Sequence, residues 1–314
     1  MIFAVDVGGT NIKVGLVDKG VLTNRSSIPA YSDQGLDQAL PRIKEAGLNM
    51  LSQQMASLSD CEAISISFPS IIDTKTGKVL FGYGKFMDAM SLNLVEWAHN
   101  ELGLPLVIDN DARVALMGEW EYGAGQGYNN LVMVTLGTGL GVAALIEGKI
   151  LRGVHGQAAI LGGHLSIDPN GHSCHCGGRG CPEAEASTSV INERAREHPE
   201  FNQSALSKLE NIDYTHVFSL AKTHDQVALA LKEKAIEAWA TMMINLIHAY
   251  DPERLIVGGG IAAGWDEFMP QVIERIYRWN HTPWGRVQVV PALRENDAAL
   301  LGCDVLWKIH SKTH

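Results

Sequence analysis

The sequence predicts an α/β chain built in two halves, and three observations carry the prediction. A strand, a glycine turn and a second strand follow one another at residues 2–17 and again at residues 131–146. Elsewhere short apolar runs alternate with stretches of helical spacing, the pattern of helices laid on sheets. Between the second hairpin and the longest helical stretch lies a loop that holds three of the five cysteines, Cys174, Cys176 and Cys181, preceded by His164.

Taken in order, residues 2–6 read as a buried strand, followed by Gly8-Gly9-Thr10 and a strand over 12–17. Residues 35–59 carry helical spacing, with Leu36, Leu40, Ile43 and Ala46 three or four residues apart. Residues 63–68 make a short strand that Pro69 ends, and 92–102 read as a helix. The strand at 104–108 runs into Asp109-Asn110-Asp111, and helical spacing resumes over 112–120. The second hairpin pairs 131–135 with 142–146 around Gly137-Thr138-Gly139-Leu140-Gly141. Residues 226–250 form the longest helix, closed by Asp251-Pro252, and 254–257 a strand that feeds Gly258-Gly259-Gly260. The least patterned stretch, 196–216, reads as a surface excursion.

With 314 residues, 46% of them hydrophobic and 19% charged, the chain has the composition of a soluble globular protein. A net charge of −10 argues against a nucleic-acid partner, whose backbone rewards clustered Lys and Arg. It leaves anionic ligands open, because converging backbone N–H groups bind phosphate inside acidic proteins. The opening Met1-Ile2-Phe3-Ala4-Val5-Asp6 reads as a strand and not as a signal peptide, and no run reaches the ~20 apolar residues of a membrane span. Cys61 and Cys303 read as reduced core residues, outside any disulfide framework. A cytoplasmic protein without membrane partners is expected.

Thiolates and a neutral imidazole are the ligands zinc prefers, and four close a tetrahedral site. His164, Cys174, Cys176 and Cys181 are the candidate ligands, with His172 and His175 as competing nitrogens that spacing does not separate. Pro169-Asn170-Gly171 and Gly177-Gly178-Arg179-Gly180 supply the turns around such an ion. The three glycine clusters, each following an apolar strand, suit anion binding by backbone N–H groups. Asp6, just before the first turn, is placed to hold magnesium through water, and Lys13 to reach a phosphate. No Walker A loop or dinucleotide fingerprint is present.

Asp6-Val7-Gly8-Gly9-Thr10-Asn11-Ile12-Lys13 resembles the first phosphate motif of the sugar kinase, hexokinase and actin superfamily. Thr135-Leu136-Gly137-Thr138-Gly139-Leu140-Gly141 resembles its second, and Ile256-Val257-Gly258-Gly259-Gly260 its adenosine motif. Gly163-His164, the run Cys174 to Cys181 and Glu183 make the chain similar to the repressor, open-reading-frame and kinase (ROK) family over residues 2–306. The resemblance implies a two-lobed ribonuclease-H-like (actin/hexokinase-type ATPase) α/β fold with a zinc-bound loop at 164–183. Its small lobe would span 1–112, completed by a C-terminal helix near 298–314, and its large lobe 113–297, with the active site in the cleft. It also implies an ATP-dependent sugar kinase, acting with magnesium on the 6-hydroxyl of a hexose or amino-hexose, and a homodimer.

By the same resemblance Asp111 is the catalytic base, and Asn110, Asp111, Gly137, His164 and Glu183 contact the sugar. Asp6, Gly8, Gly9, Thr10, Asn11, Lys13, Gly137, Thr138, Gly139, Gly141, Gly258, Gly259 and Gly260 line the nucleotide. The chemistry agrees, since a hydroxyl needs a positioned carboxylate to take its proton. Asn110-Asp111 alone would also serve as a helix cap.

Three positions depart from the family pattern. The family's Gly-Glu-x-Gly-His reads Ile160-Leu161-Gly162-Gly163-His164 here, so Leu161 replaces a glutamate that accepts the sugar's 2- and 3-hydroxyls. A hydroxyl left unpaired there costs about 1–3 kcal/mol. Arg113 replaces a small polar residue and Ser70 a glycine. Altered specificity, weak affinity or lost catalysis would each follow, and the intact phosphate motifs with Asp111 favour an active kinase. The alternative is a sugar-sensing regulator; with the first motif at residue 6, a preceding DNA-binding domain is not expected.

Overall fold

Ile2, Phe3, Ala4 and Val5 are all buried, and strand β1 (Ile2–Val7) is apolar on both faces because neighbours cover both sides of its sheet. The computed structural model describes residues 1–82 and 84–312, which cluster into two units. The first comprises Met1–Gly127, Ile150–Ala158 and the chain from Leu293. Its sheet adds β2 (Asn11–Asp18), β3 (Val21–Pro29), β4 (Ala63–Phe68) and, after a ribbon of β5 (Ile72–Asp73) and β6 (Lys78–Val79), β7 (Leu106–Asn110). The order is β3-β2-β1-β4-β7, antiparallel through the first three strands and parallel thereafter.

Helix α1 (Leu40–Gln53) starts later than the periodicity at 35–59 suggests, because Pro41 occupies its first turn. Helices α2 (Leu94–Leu102) and α3 (Asp111–Tyr122) follow, and α3 lies against the C-terminal helix Ala298–Ser311. The two helices touch backbone to backbone. A Cβ on Gly118 would strike the Ala298 carbonyl, and one on Gly302 the Val114 carbonyl. That contact draws 113–127 into the first unit, so the expected boundary after residue 112 moves beyond α3. Thr313 and His314, the expected end of the C-terminal helix, lie outside the described residues.

Arg113 accounts for the other segment that joins this unit, 150–158. Its guanidinium is fully buried and donates to the carbonyls of Leu151 (3.1 Å), Gly156 (3.0 Å) and Ala158 (2.9 Å). Asp109, equally buried, pairs with Arg113 at 3.3 Å and with Arg152 at 2.7 Å. Burial lowers the Arg113 pKa and Asp109 opposes it; a guanidinium remains charged regardless. The departure at Arg113 is thus a clamp that ties one strap of chain to the base of α3.

The second unit, Tyr128–Lys149 and Ala159–Ala292, repeats the sheet plan. Its strands are β8 (Leu131–Leu136), β9 (Leu140–Ile146), β10 (Lys149–Ile150), β11 (Arg254–Gly258) and β12 (Gln288–Pro291), ordered β10-β9-β8-β11-β12. Again a hairpin comes first and a parallel strand joins its inner edge. Helices α4 (Pro182–Ala186), α5 (Thr188–Arg196), α6 (Tyr214–Lys222), α7 (Gln226–Tyr250) and α8 (Trp265–Trp279) complete it. Trp239 of α7 is fully buried 4.9 Å from the Phe268 ring and 5.0 Å from Tyr214, with its indole N–H on the Ala186 carbonyl.

Residues 196–216 are not a surface excursion. Phe201, Leu206, Ile212 and Tyr214 are buried, and the Asp225 carboxylate accepts the Ser204 hydroxyl and the Ala205 N–H, at 2.8 and 2.9 Å. No helix among the described residues is long and apolar enough to cross a membrane.

Replacing Arg113 with methionine should cost about 3–5 kcal/mol in urea unfolding, since it strands buried carbonyls and half of the Asp109 pairing. A cost under about 1 kcal/mol, the range of a surface pair, would show that other contacts hold the strap.

Candidate active site

In the first unit, the turn Gly8-Gly9-Thr10 is closed by the Gly8 N–H on the Asn11 carbonyl at 3.0 Å. Asp6, next to last in β1, accepts the Ser67 hydroxyl at 2.8 Å and lies 3.6 Å from the Lys13 ammonium. Lys13 also donates to the Asn296 carbonyl at 3.1 Å, so the lysine of the motif is already engaged twice.

Asn110 ends β7 and caps α3. Its carbonyl oxygen accepts the N–H groups of Ala112 (3.1 Å) and Arg113 (3.4 Å), which satisfies donors that a helix start leaves unpaired. Its amide donates to the Ser70 carbonyl at 3.1 Å and to the Asp111 carboxylate at 2.9 Å. The cap therefore also aims Asp111. Burial raises the Asp111 carboxyl to about 6, with the Ala112 N–H opposing and the charge of Asp6 adding to the rise. A carboxylate tuned toward neutrality is what proton abstraction near physiological pH requires. Asp6 and Asp111, oxygen donors close enough to repel, also suit a magnesium ion that keeps most of its waters.

In the second unit, Gly137 donates to the Gly139 carbonyl at 3.0 Å, and the N–H of Thr188 braces the Gly137 carbonyl at 2.9 Å. Thr138 stands at the turn's tip, where its carbonyl accepts the Ser189 N–H at 3.2 Å, and Gly141 lies within β9. Glu183, in the first turn of α4, reaches back to this turn and accepts the Leu140 N–H at 2.8 Å. Its other oxygen lies 3.4 Å from His175 Nε2 and 3.8 Å from His164 Nε2. Gly258 ends β11, and Gly259 and Gly260 lead into a 3₁₀ turn over Gly260–Gly264.

The four candidate metal ligands lie together. One ligand atom each of His164, Cys174, Cys176 and Cys181 lies within 4.8 Å of the others. His164 Nδ1 is 3.5 Å from Cys174 Sγ, and the sulfurs of Cys176 and Cys181 are 3.6 Å apart. A zinc tetrahedron with ordinary Zn–S and Zn–N bonds has edges of about 3.6–3.8 Å, so the donor set fits the ion. Burial lowers the His164 pKa, which keeps the ring in its ligating neutral form, and raises those of Cys174 and Cys181. Burial also opposes ionisation at Cys176, yet the Gly178 N–H and its thiol neighbours hold it below the usual thiol range.

Of the competing nitrogens, His172 is turned to Glu185 at 2.8 Å, and His175 stands edge-on to His164 near Glu183. His164 alone of the three joins the thiols. Its 3₁₀ turn presses on β9 because Gly163 has no Cβ to strike the Leu140 carbonyl. Leu161 is half-buried just before that turn, and its carbonyl accepts the His164 N–H at 2.9 Å. Two links were not readable from the sequence: Glu183 to Leu140, and the buried Ser70 hydroxyl to the Phe81 carbonyl. Nothing local in the sequence signals either.

The sequence matches the ROK family over residues 2–310. It is 32% identical to the glucokinase of Thermotoga maritima across 98% of this chain and 97% of that protein. It is 30% identical to an N-acetylmannosamine kinase of Vibrio vulnificus across 96% of each. The solved ROK glucokinase of Streptomyces griseus, in complex with glucose and AMPPNP, superposes with a TM-score of 0.74 at 30% identity, covering 96% of this chain and 97% of that one. With both sheets led by a glycine-tipped hairpin and the Cys/His cluster in place, the chain belongs to the ROK family.

Proposed function

We propose that this protein is an ATP-dependent sugar kinase that phosphorylates the 6-hydroxyl of a hexose or amino-hexose, with Asp111 as general base. Family membership and relatives that are glucokinases and an N-acetylmannosamine kinase support the reaction class. The observation that carries the base assignment is the Asp111 carboxyl, raised to about 6 and directed by the Asn110 amide.

In this reading Asp111 takes the proton of the attacking hydroxyl as the bond to phosphorus forms. The family resemblance assigns sugar contacts to Asn110 in the first unit and, in the second, to the backbone at Gly137, His164 and Glu183. The family resemblance assigns the phosphates to the glycine turns at Gly8, Gly9, Thr10 and Asn11 and at Gly137, Thr138, Gly139 and Gly141, in which the N–H groups of Gly8 and Gly137 close the turns themselves, and to Lys13. Gly258, Gly259 and Gly260 give the adenosine a wall without side chains. Asp6 would hold magnesium through water; when bound, that ion neutralises phosphate charge. His164, Cys174, Cys176 and Cys181 would hold a structural zinc, which fixes the His164 ring with Nε2 toward the substrate.

Leu161 deepens the specificity question. A leucine cannot accept hydroxyls, so a substrate whose 2- or 3-position is altered or substituted suits it better than glucose. The amino-hexose class fits that description.

In a coupled ADP-release assay over hexoses and amino sugars, turnover should rise with pH through about 6, because the base is active only once deprotonated. Asp111→Asn should lower it by about 10²–10⁴-fold with little change in sugar affinity; near-normal turnover would place the base elsewhere. Elemental analysis should find zinc close to equimolar with the chain, and Cys176→Ser should lose the metal and lower the thermal midpoint. Protein purified without chelator and free of zinc would refute the assignment. Leu161→Glu should shift preference toward glucose-like sugars by about 1–3 kcal/mol; an unchanged preference in an active, folded variant would show that Leu161 does not face the substrate.

A further inference from the structure

We propose that Lys85 contacts the phosphoryl group in transfer, adding positive charge to that of Lys13, which is paired with Asp6. The inference rests on the kinase reading and adds a catalytic residue that no motif of the chain contains. Its starting point is the surface of Gly9. A Cβ built there would collide with Cδ, Cε and Nζ of Lys85, so the whole end of that side chain lies across the phosphate turn. Among the described residues Lys85 has no hydrogen bond and no ion pair. An unpartnered surface lysine is ordinary; one whose ammonium rests on a phosphate-binding glycine is not.

The segment beneath it is fixed at several points. The Ser70 hydroxyl donates to the Phe81 carbonyl, and the Leu80 N–H to the Ile71 carbonyl at 2.9 Å. Phe86 is buried, with a left-handed φ of 50°, and its N–H donates to the Ser32 carbonyl at 2.9 Å. Asp88 accepts the N–H groups of Leu36 and Asp37 at 2.7 and 2.9 Å. Ser32 closes the circuit, since its hydroxyl donates to the Gly9 carbonyl at 3.0 Å. The turn and the lysine are therefore held to one another through Ser32. Ser70, a departure from the family pattern, is one of the anchors.

Charge supplies the reason. Asp6 and Asp111 already repel each other here, and a nucleoside triphosphate adds several more negative charges. Lys13 is spent on Asp6 and the Asn296 carbonyl. In the transfer the bond from the γ-phosphorus to the bridging oxygen breaks and the bond to the sugar oxygen forms. The sugar proton goes to Asp111. Lys85 gives up no proton; its ammonium neutralises the phosphoryl oxygens as the group moves, and such preorganised charge is among the larger contributions to phosphoryl transfer.

The test compares wild type, Lys85→Met and Lys85→Arg, all with magnesium. Affinities for AMPPNP and ADP are measured by calorimetry, initial rates by ADP release over the sugar panel, and folding by thermal midpoint. Lys85→Met should lose about tenfold of the wild-type preference for AMPPNP over ADP and about 10²-fold in kcat, the loss seen when one charge-stabilising donor is removed. Lys85→Arg should recover most of both, and the midpoints should agree. A methionine variant that keeps the wild-type preference and kcat overturns the proposal. So does one that weakens AMPPNP and ADP equally, since that places the lysine away from the γ-phosphate. A wild type that prefers AMPPNP yet phosphorylates no sugar overturns the kinase reading instead, and the affinity comparison still decides Lys85.

Discussion

The corner where β7 becomes α3 sets the terms for the first unit, because three consecutive polar residues there meet three different burial demands. Asp109 is fully buried as a charge, tolerable only because Arg113 and Arg152 pair with it from two sides. Asn110 spends its carbonyl oxygen on the helix start and its amide on the Asp111 carboxylate. Among the described residues Asp111 has no cation partner, and burial raises its carboxyl to about 6. One strand end thus makes a structural ion pair, a cap and a carboxyl of raised pKa from three neighbouring side chains, and it does so because each has a different partner set.

The second unit shows a parallel economy around Glu183. One oxygen of this side chain is fixed to the Leu140 N–H at the Gly137–Gly139 turn, and the other faces His164 and His175. His164 in turn directs Nδ1 to the thiols. The loop that would carry the metal is thereby joined to the phosphate-type turn through two side chains. A change at Cys174, Cys176 or Cys181 should be felt at Glu183 before it is felt in the sheet.

Much of this was legible where the chemistry is local. The strand at 63–68 and the helix at 226–250 coincide with their observed bounds, because an unbroken apolar run and an unbroken helical period leave no choice. β3 escaped notice because it is an edge strand with no residue fully buried, and α8 because Pro270 interrupts a face carried by Phe268, Met269, Val272 and Ile276. The stretch at 196–216 misled because its buried residues follow neither the helical nor the strand period. The cysteine cluster was readable because thiol spacing is itself the signal. The assignment of Asp111 as a base rests on family resemblance, and its raised carboxyl on burial that only the folded chain creates. Arg113 and Ser70 were visible as departures, but their carbonyl partners lie up to 45 residues away, beyond any local pattern.

Burial, with the charge of Asp6 nearby, raises the Asp111 carboxyl to about 6. The direct measurement is a carboxyl ¹³C NMR titration of aspartate-labelled protein, with Asp111→Asn for assignment and Asp6→Asn to remove the repelling charge. The expected result is a resonance that titrates at about 6, is absent from Asp111→Asn, and moves to lower pH in Asp6→Asn. An Asp111 carboxyl that titrates near the ordinary aspartate value of about 3.9, and is indifferent to Asp6, would contradict it.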